Sequence, residues 1–367
     1  MNKIAIITRY YNNFNYGGLL QAYALQQAVA RLGFDCQQIS FDDKNISQKL
    51  YDTFLIPAAS VYWGKWFWVT HHTKRRMAVF EKAIPHTRRK TATTISDLKN
   101  TYDAYICGSD QIWNPIWGWI DAYFLSFVDE ERKKIAYAAS IANNSLTLAE
   151  SKFILRKIKG FDAISFREAE AIKALKCVDP SFHAEVMPDP TFLLPPEDWS
   201  VLASPRIIKE PYILAYFLGT DTENRERAIA YAEEQGKRIV FPSSLLPNNR
   251  RWERAHDRRM IYHMGVEEFL SLIKNADLVL TDSFHGSVFS CIFEVPFVVT
   301  ERRVYGDSSS MGSRIATLME TLGIDRRVEW IEPGKDYSFS TSETDSIKSA
   351  LSEQRQKGLA YLSESLI

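Results

Sequence analysis

The chain has 367 residues, 45 Lys and Arg against 45 Asp and Glu, and 46% apolar residues, the balance of a globular protein long enough for two or three cores. Zero formal net charge removes the electrostatic footprint of a general nucleic-acid binder, so nucleic acid is not expected as a partner. Cys36, Cys107, Cys177 and Cys291 form no CxxC pair and no zinc-ligand spacing, and the opening MNKIAIITRYY does not read as a secretory signal; free thiols and a cytoplasmic location are expected.

In chain order, an apolar run at 4–8 predicts the first strand, and a polar loop then feeds a helix in which Leu20, Ala24, Ala28 and Leu32 share one face before Gly33 stops it. A strand at 36–41 completes a βαβ opening. The region near 46–101 breaks the alternation with the aromatic run VYWGKWFWVTHH and the basic clusters Lys74-Arg75-Arg76 and Arg88-Arg89-Lys90. Its apolar part, 54–69, is too short to cross a bilayer and carries Lys65. A helical insertion packed on the sheet is one reading, and an interfacial helix giving peripheral contact with the inner face of the cell membrane is the other. Strands follow at 104–107, 134–140, 163–166 and 184–187. Six prolines at positions 188, 190, 195, 196, 205 and 211 then mark a crossing. A second series has strands at 212–218, 238–241, 259–262, 278–281 and 297–300, with helices near 222–235, 266–274, 286–294 and 312–322 and a last one near 344–362. The predicted fold class is α/β with two doubly wound lobes and a central cleft: 1–195, a linker at 196–210, 211–342, and a closing helix at 343–367 that packs back.

In such sheets ligands bind beyond the carboxyl ends of the strands. Asn15, Gly17 and Gly18 stand after the first strand at a helix N-terminus, whose unpaired N–H groups suit an anion or sugar hydroxyls; a tight turn is the plain alternative. Ser109, Asp110, Gln111, Trp113 and Asn114 follow the third. Amides and a carboxylate bind vicinal hydroxyls while the indole covers a C–H face, unless the set is only an Asp cap and a buried Trp. Arg167 offers a fork for carboxylate or phosphate, or an internal ion pair with Glu168 or Asp189. In the second half, Gly219 and Thr220 end one strand, and Thr281-Asp282-Ser283-Phe284-His285-Gly286-Ser287 leads directly into a helix. His285, at a strand exit beside a positive helix end, is the first candidate for proton transfer, with Gly286 allowing close backbone approach. Arg302, Arg303 and the run from Ser308 to Arg314 supply candidate anion clamps. P-loop, HExxH and G-x-S-x-G patterns are lacking, so a kinase, a zincin or a serine hydrolase is disfavoured and no metal is expected.

With these residues in view, the sequence resembles the polysaccharide pyruvyl transferase family: NYGGLLQAYALQQ from Asn15, YDAYICGSDQIWNP from Tyr102, SFREAEAI from Ser165, PDPTFLL from Pro188 and ADLVLTDSFHGSVFS from Ala276 carry the likeness. The resemblance implies two Rossmann-like lobes of GT-B type, with phosphoenolpyruvate as co-substrate, no other cofactor, and a saccharide acceptor, free or lipid-linked. The product would be a pyruvate ketal on two hydroxyls of one sugar, with release of phosphate. On this reading the donor side takes Arg167, Gly219, Thr220, Ser283, Phe284, Gly286, Arg302 and Arg314; the acceptor side takes Asn15, Gly17, Gly18, Gln21, Ser109, Gln111, Trp113 and Asn114. His285 would move the proton. Asp110 is chosen as base on spacing and chemistry. Ser283 departs from the family pattern, which often has Arg two residues before the histidine. A nucleotide-sugar glycosyltransferase and a non-catalytic saccharide-binding protein stay open as alternatives.

Overall fold

The computed structural model describes residues 2–44, 64–142, 145–220, 222–244, 249–303 and 312–367, without the side chains of 65–67. β1 (Lys3–Ile7), β2 (Asp35–Gln38), β3 (Ala104–Cys107), β4 (Lys133–Ala139), β5 (Ala163–Phe166) and β6 (Glu185–Val186) form a parallel sheet in the order β2-β1-β3-β4-β5-β6. β7 (Tyr212–Tyr216), β8 (Arg238–Pro242), β9 (Met260–Ile261), β10 (Leu278–Thr281), β11 (Phe297–Thr300) and β12 (Arg327–Val328) form a second, in the order β12-β11-β10-β7-β8-β9. Strands buried on both faces explain why the runs are apolar without alternation: every position of β3, β7, β10 and β11 is buried.

α1 (Tyr16–Arg31) begins where Asn15 Oδ1 accepts the Gly18 N–H at 3.2 Å. α2 (Lys65–Ala83) buries Val69, Met77 and Phe80 and lies against both lobes. The insertion therefore contains a helix, packed on α1 and on the second lobe rather than flat on the sheet; residues 46–63 of that region lie outside the described residues. α3 (Leu148–Ile158) starts with a capping box between Thr147 and Glu150, and α4 (Ala169–Lys176) follows β5. The proline-rich crossing holds a short helix, α5 (Pro196–Leu202), anchored by Trp199 against Phe289. The second lobe adds α6 (Glu223–Glu234), α7 (Arg250–Ala255), α8 (Val266–Lys274), α9 (Phe284–Ile292) and α10 (Gly312–Leu322). Among the described residues Cys177 is exposed and the other three thiols are buried.

Two features join the lobes. One apolar cluster is continuous across them, with Tyr16 of α1 stacked on Phe269 of α8 at 4.6 Å. The last helix, α11 (Thr341–Leu366), buries Ile347 and Leu351 in that shared cluster and Leu362 and Leu366 against Ile4, Ile6 and Ile135 of the first sheet. Tyr361 Oη donates to the Ala136 carbonyl at 3.0 Å. α11 passes so close to the sheet that a Cβ at Gly358 would sit 2.5 Å from Tyr137 Oη and 2.6 Å from Leu193 Cδ2, both in fully packed surroundings. Alanine is the better helix former by about 1 kcal/mol, yet Gly358→Ala is expected to lower stability by ~1–3 kcal/mol through overpacking. Denaturant unfolding of the two proteins measures it.

Candidate active site

Strand order reverses in the first sheet between β1 and β3 and in the second between β7 and β10, so two crevices of the kind that hold ligands open at these points. The helices that follow β1 and β10 bring the crevices together: Gly17 of α1 lies against the imidazole of His285 on α9, and any Cβ at position 17 would overlap the ring. Only glycine permits that approach.

Around this contact lies a buried charge cluster. Arg167, just after β5, donates from Nη1 to Asp189 Oδ2 at 2.6 Å, from Nη2 to Asp110 Oδ1 at 2.9 Å and Ser140 Oγ at 2.7 Å, and from Nε to Glu168 Oε1 at 3.3 Å. Arg314 of α10 reaches the same Asp110 oxygen at 3.2 Å from across the cleft. Phe284 stands between the two cations, its ring centre 4.7 Å from the Arg167 guanidinium and 5.7 Å from that of Arg314. Asp189 Oδ1 accepts from the Thr191 N–H and hydroxyl at 3.0 and 2.7 Å. His285 Nε2 lies 3.7 Å from Asp189 Oδ2, too far for a hydrogen bond, and this buried atom has no hydrogen-bond partner among the described residues.

The electrostatics follow from these distances. Burial alone would raise the Asp110 and Asp189 carboxyls, but Arg167, His285 and Arg314 around the first, and His285 and Arg167 beside the second, hold both below the usual carboxylate range. Burial would likewise weaken Arg167, and three carboxylates overrule it and push its pKa up. Arg314 is pushed down to about 10 by burial and by Arg167, against the pull of Asp110, and stays charged at neutral pH. Two guanidinium groups thus face three carboxylates, Asp110, Glu168 and Asp189.

Of the residues singled out in the sequence, His285, Asp110, Arg167, Arg314, Phe284 and Gly17 converge here. Others are engaged elsewhere. Trp113 is 0% exposed, stacked on Phe124 at 5.2 Å with its N–H on the Tyr123 carbonyl, so its face is closed to a sugar. Gln21 donates to Thr8 Oγ1 and accepts from the Ser109 N–H, locking α1 to the loop after β3 beneath the site rather than lining it. Ser109 Oγ is committed to the Ala138 carbonyl. Asn15 caps α1 and Gly18 packs near the Arg9 carbonyl. Ser283 Oγ caps α9 by accepting the Gly286 N–H at 3.3 Å, which starts that helix at Phe284, two residues before the predicted 286. The close approach at Gly286 is to Thr281 Oγ1, within the lobe. Asp282 accepts from the Leu218 and Gly219 N–H groups at 2.7 Å each and lies 3.8 Å from Arg302; the Thr220 N–H goes to the Arg303 carbonyl. Arg302 and Asp282 border a cavity of about 660 Å³ that also touches Thr300, Ser313, Asp325 and Glu170. Residues 308–311 of the predicted clamp lie outside the described residues.

Sequence reasoning missed two members. Glu168 and Asp189 were visible only as partners for Arg167, and the structure uses both together with Asp110. Trp117 gave no signal beyond its type. It is 52% exposed, its N–H bonded to Gln111 Oε1 at 3.0 Å and the Arg9 guanidinium 4.7 Å from its ring centre. Asn114 Nδ2 joins the same Gln111 oxygen at 3.1 Å.

The family model described as polysaccharide pyruvyl transferase matches residues 15–302, which contain every member of this cluster except Arg314. No curated protein matches the sequence. Among solved structures, the S. aureus MnaA–UDP complex aligns with TM-score 0.52 at 13% identity, covering 99% of this chain and 91% of that one. UDP-GlcNAc 2-epimerase from Methanocaldococcus jannaschii aligns with TM-score 0.51 at 13% identity, covering 96% and 92%. These likenesses show the two-lobed GT-B-type fold and leave the chemistry to the site.

Two outcomes follow from the cluster. Gly17→Ala should push the imidazole aside or part the lobes; activity should fall by at least about tenfold while the far-ultraviolet circular dichroism stays unchanged. Because the folded-state pKa values of Asp110 and Asp189 are depressed, their contribution to stability is present above the ordinary Asp value of about 3.9 and is lost as pH falls below it. Asp189→Asn leaves Arg167 undercompensated and should cost ~3–5 kcal/mol at neutral pH. Its melting temperature should also depend less on pH below about 4 than that of the wild type, which a calorimetric pH series reads directly.

Proposed function

Because the chain belongs to the polysaccharide pyruvyl transferase family, we propose that it transfers the enolpyruvyl group of phosphoenolpyruvate to two hydroxyls of one sugar in a surface polysaccharide or its precursor. The observation that carries this reading is His285 Nε2, buried where the two lobes meet, without a hydrogen-bond partner among the described residues, and 3.7 Å from the Asp189 oxygen that accepts from Arg167. Enol phosphate chemistry needs such a group. Carbon 2 of the donor becomes electrophilic once the methylene at carbon 3 is protonated, and a single imidazole can run the whole cycle. It gives its proton to carbon 3, takes one back from the first attacking hydroxyl, passes it to the departing phosphate and recovers the last from the second hydroxyl. Two hydroxyl protons are thereby spent, one on the new methyl group and one on phosphate, and the balance closes.

Arg314 is the cation best placed for the donor's anionic groups, since Arg167 is saturated by three carboxylates, and Arg302 borders the neighbouring cavity beside Ser313. The acceptor lies on the rim of the first lobe, where the exposed Trp117, rather than the buried Trp113, covers a sugar C–H face and Gln111 meets hydroxyls, while the buried Asn114 caps the turn that presents Trp117.

Incubation with phosphoenolpyruvate and a panel of glucosyl, galactosyl and mannosyl acceptors should release phosphate and yield a ketal methyl signal by NMR. His285→Ala should lower the rate at least ~100-fold. Arg314→Ala should lower it with a higher donor KM. Equal rates in all three proteins would remove the site assignment, and turnover of a uridine-diphosphate sugar with indifference to phosphoenolpyruvate would assign a glycosyltransferase instead. Trp117→Ala should raise acceptor KM about tenfold with kcat nearly unchanged, the signature of lost uniform binding.

A further inference from the structure

α2 divides into two unlike faces. Val69, Thr73, Met77, Phe80 and Glu81 are buried, which leaves the helix's one carboxylate inside. Trp68, His71, His72, Arg75, Val79 and Lys82 recur at helical spacing and are all exposed, Trp68 at 60% and Val79 at 65%. This stripe contains no acid. It continues onto the second lobe, because Arg250 Nη2 donates to Thr70 Oγ1 at 2.7 Å, the rings of His72 and His263 are 5.1 Å apart, and Arg76 donates to the His263 carbonyl at 3.3 Å and pairs with Glu268. From that junction Arg251, Arg254 and Arg258 extend the exposed surface at the same spacing, with Asp257 engaged by the Tyr262 hydroxyl at 2.5 Å. Among the described residues Arg75, Arg251, Arg254 and Arg258 have no ion-pair partner. In a chain of zero net charge, this is a local excess of cations that the catalytic cluster does not use.

We propose that this face docks the protein on an anionic lipid surface. The arginines and Lys82 would meet lipid phosphates, and Trp68 would enter the headgroup zone, where an indole next to cations is favoured. Charge complementarity alone would suit any polyanion. The exposed indole and Val79 on the same stripe select a lipid interface, since a soluble polyanion offers them no apolar layer to enter. Among the described residues no helix is long and apolar enough to cross a membrane. Because the face includes residues of both lobes, a bound membrane would touch the two halves at once.

The test is co-sedimentation of the full chain with phosphatidylcholine vesicles, pure or containing about 30% phosphatidylglycerol. The wild type should pellet only with the anionic vesicles and be released as salt rises from about 0.1 to about 0.5 M. The triple substitution Arg75→Glu, Arg251→Glu, Arg254→Glu should lower partitioning at least tenfold with an unchanged melting temperature, and Trp68→Ala should lower it at constant salt dependence. Wild-type protein left in the supernatant with anionic vesicles would overturn the proposal. So would equal binding to pure phosphatidylcholine, undiminished binding by the triple variant, or capture by heparin and RNA with none by vesicles.

Discussion

A guanidinium that has lost its water must find every partner inside the protein, and Arg167 meets that demand by gathering the carboxyl ends of four strands. Asp110 follows β3, Ser140 follows β4, Glu168 follows β5 and Asp189 follows β6, and each accepts one of its hydrogen bonds. The strand exits are thereby held in one arrangement. Removing one acceptor would leave a buried charge short of compensation, so the network stands or falls as a unit. Asp110 carries it over the cleft to Arg314, and Asp189 carries it to the edge of His285.

The apolar packing makes that polar geometry possible. Tyr16 stacked on Phe269 sets the position of the α1 N-terminus, and the missing side chain at Gly17 lets the imidazole of α9 close on it. α11 fastens the arrangement from behind, with its first half in the second lobe's core and its last turns on the first sheet. Helix ends and strand exits from both lobes thus share one small volume that neither lobe could build alone.

The central strands were legible because parallel strands covered on both faces must be apolar along their whole length; 104–107, 163–166, 278–281 and 297–300 stand as read. Edge elements were not. β12 has two residues, too few for any period, and the strand expected at 36–41 ends at Gln38 because single bridges to His86 and Lys90 replace a ladder there. At the site, His285, Arg167 and Arg314 were visible from residue type and position after a strand or before a helix. Pairings were not visible: Asp189 meets Arg167 only because β6 lies beside β5. The choice between Trp113 and Trp117 was likewise beyond reach, since a 3₁₀ turn at Pro115–Trp117 decides which of two indoles four residues apart enters the core.

The serine at position 283 fits this electrostatic scheme. Its hydroxyl accepts the Gly286 N–H and caps α9, a bond that an arginine, which has no acceptor, could not make. Under the proposed function the cation would come from Arg314 on a different helix, which faces Asp110 at 3.2 Å. An anion bound at His285 would then compete with Asp110 for that guanidinium, so binding the donor would have to draw Arg314 away from a carboxylate it already pairs with.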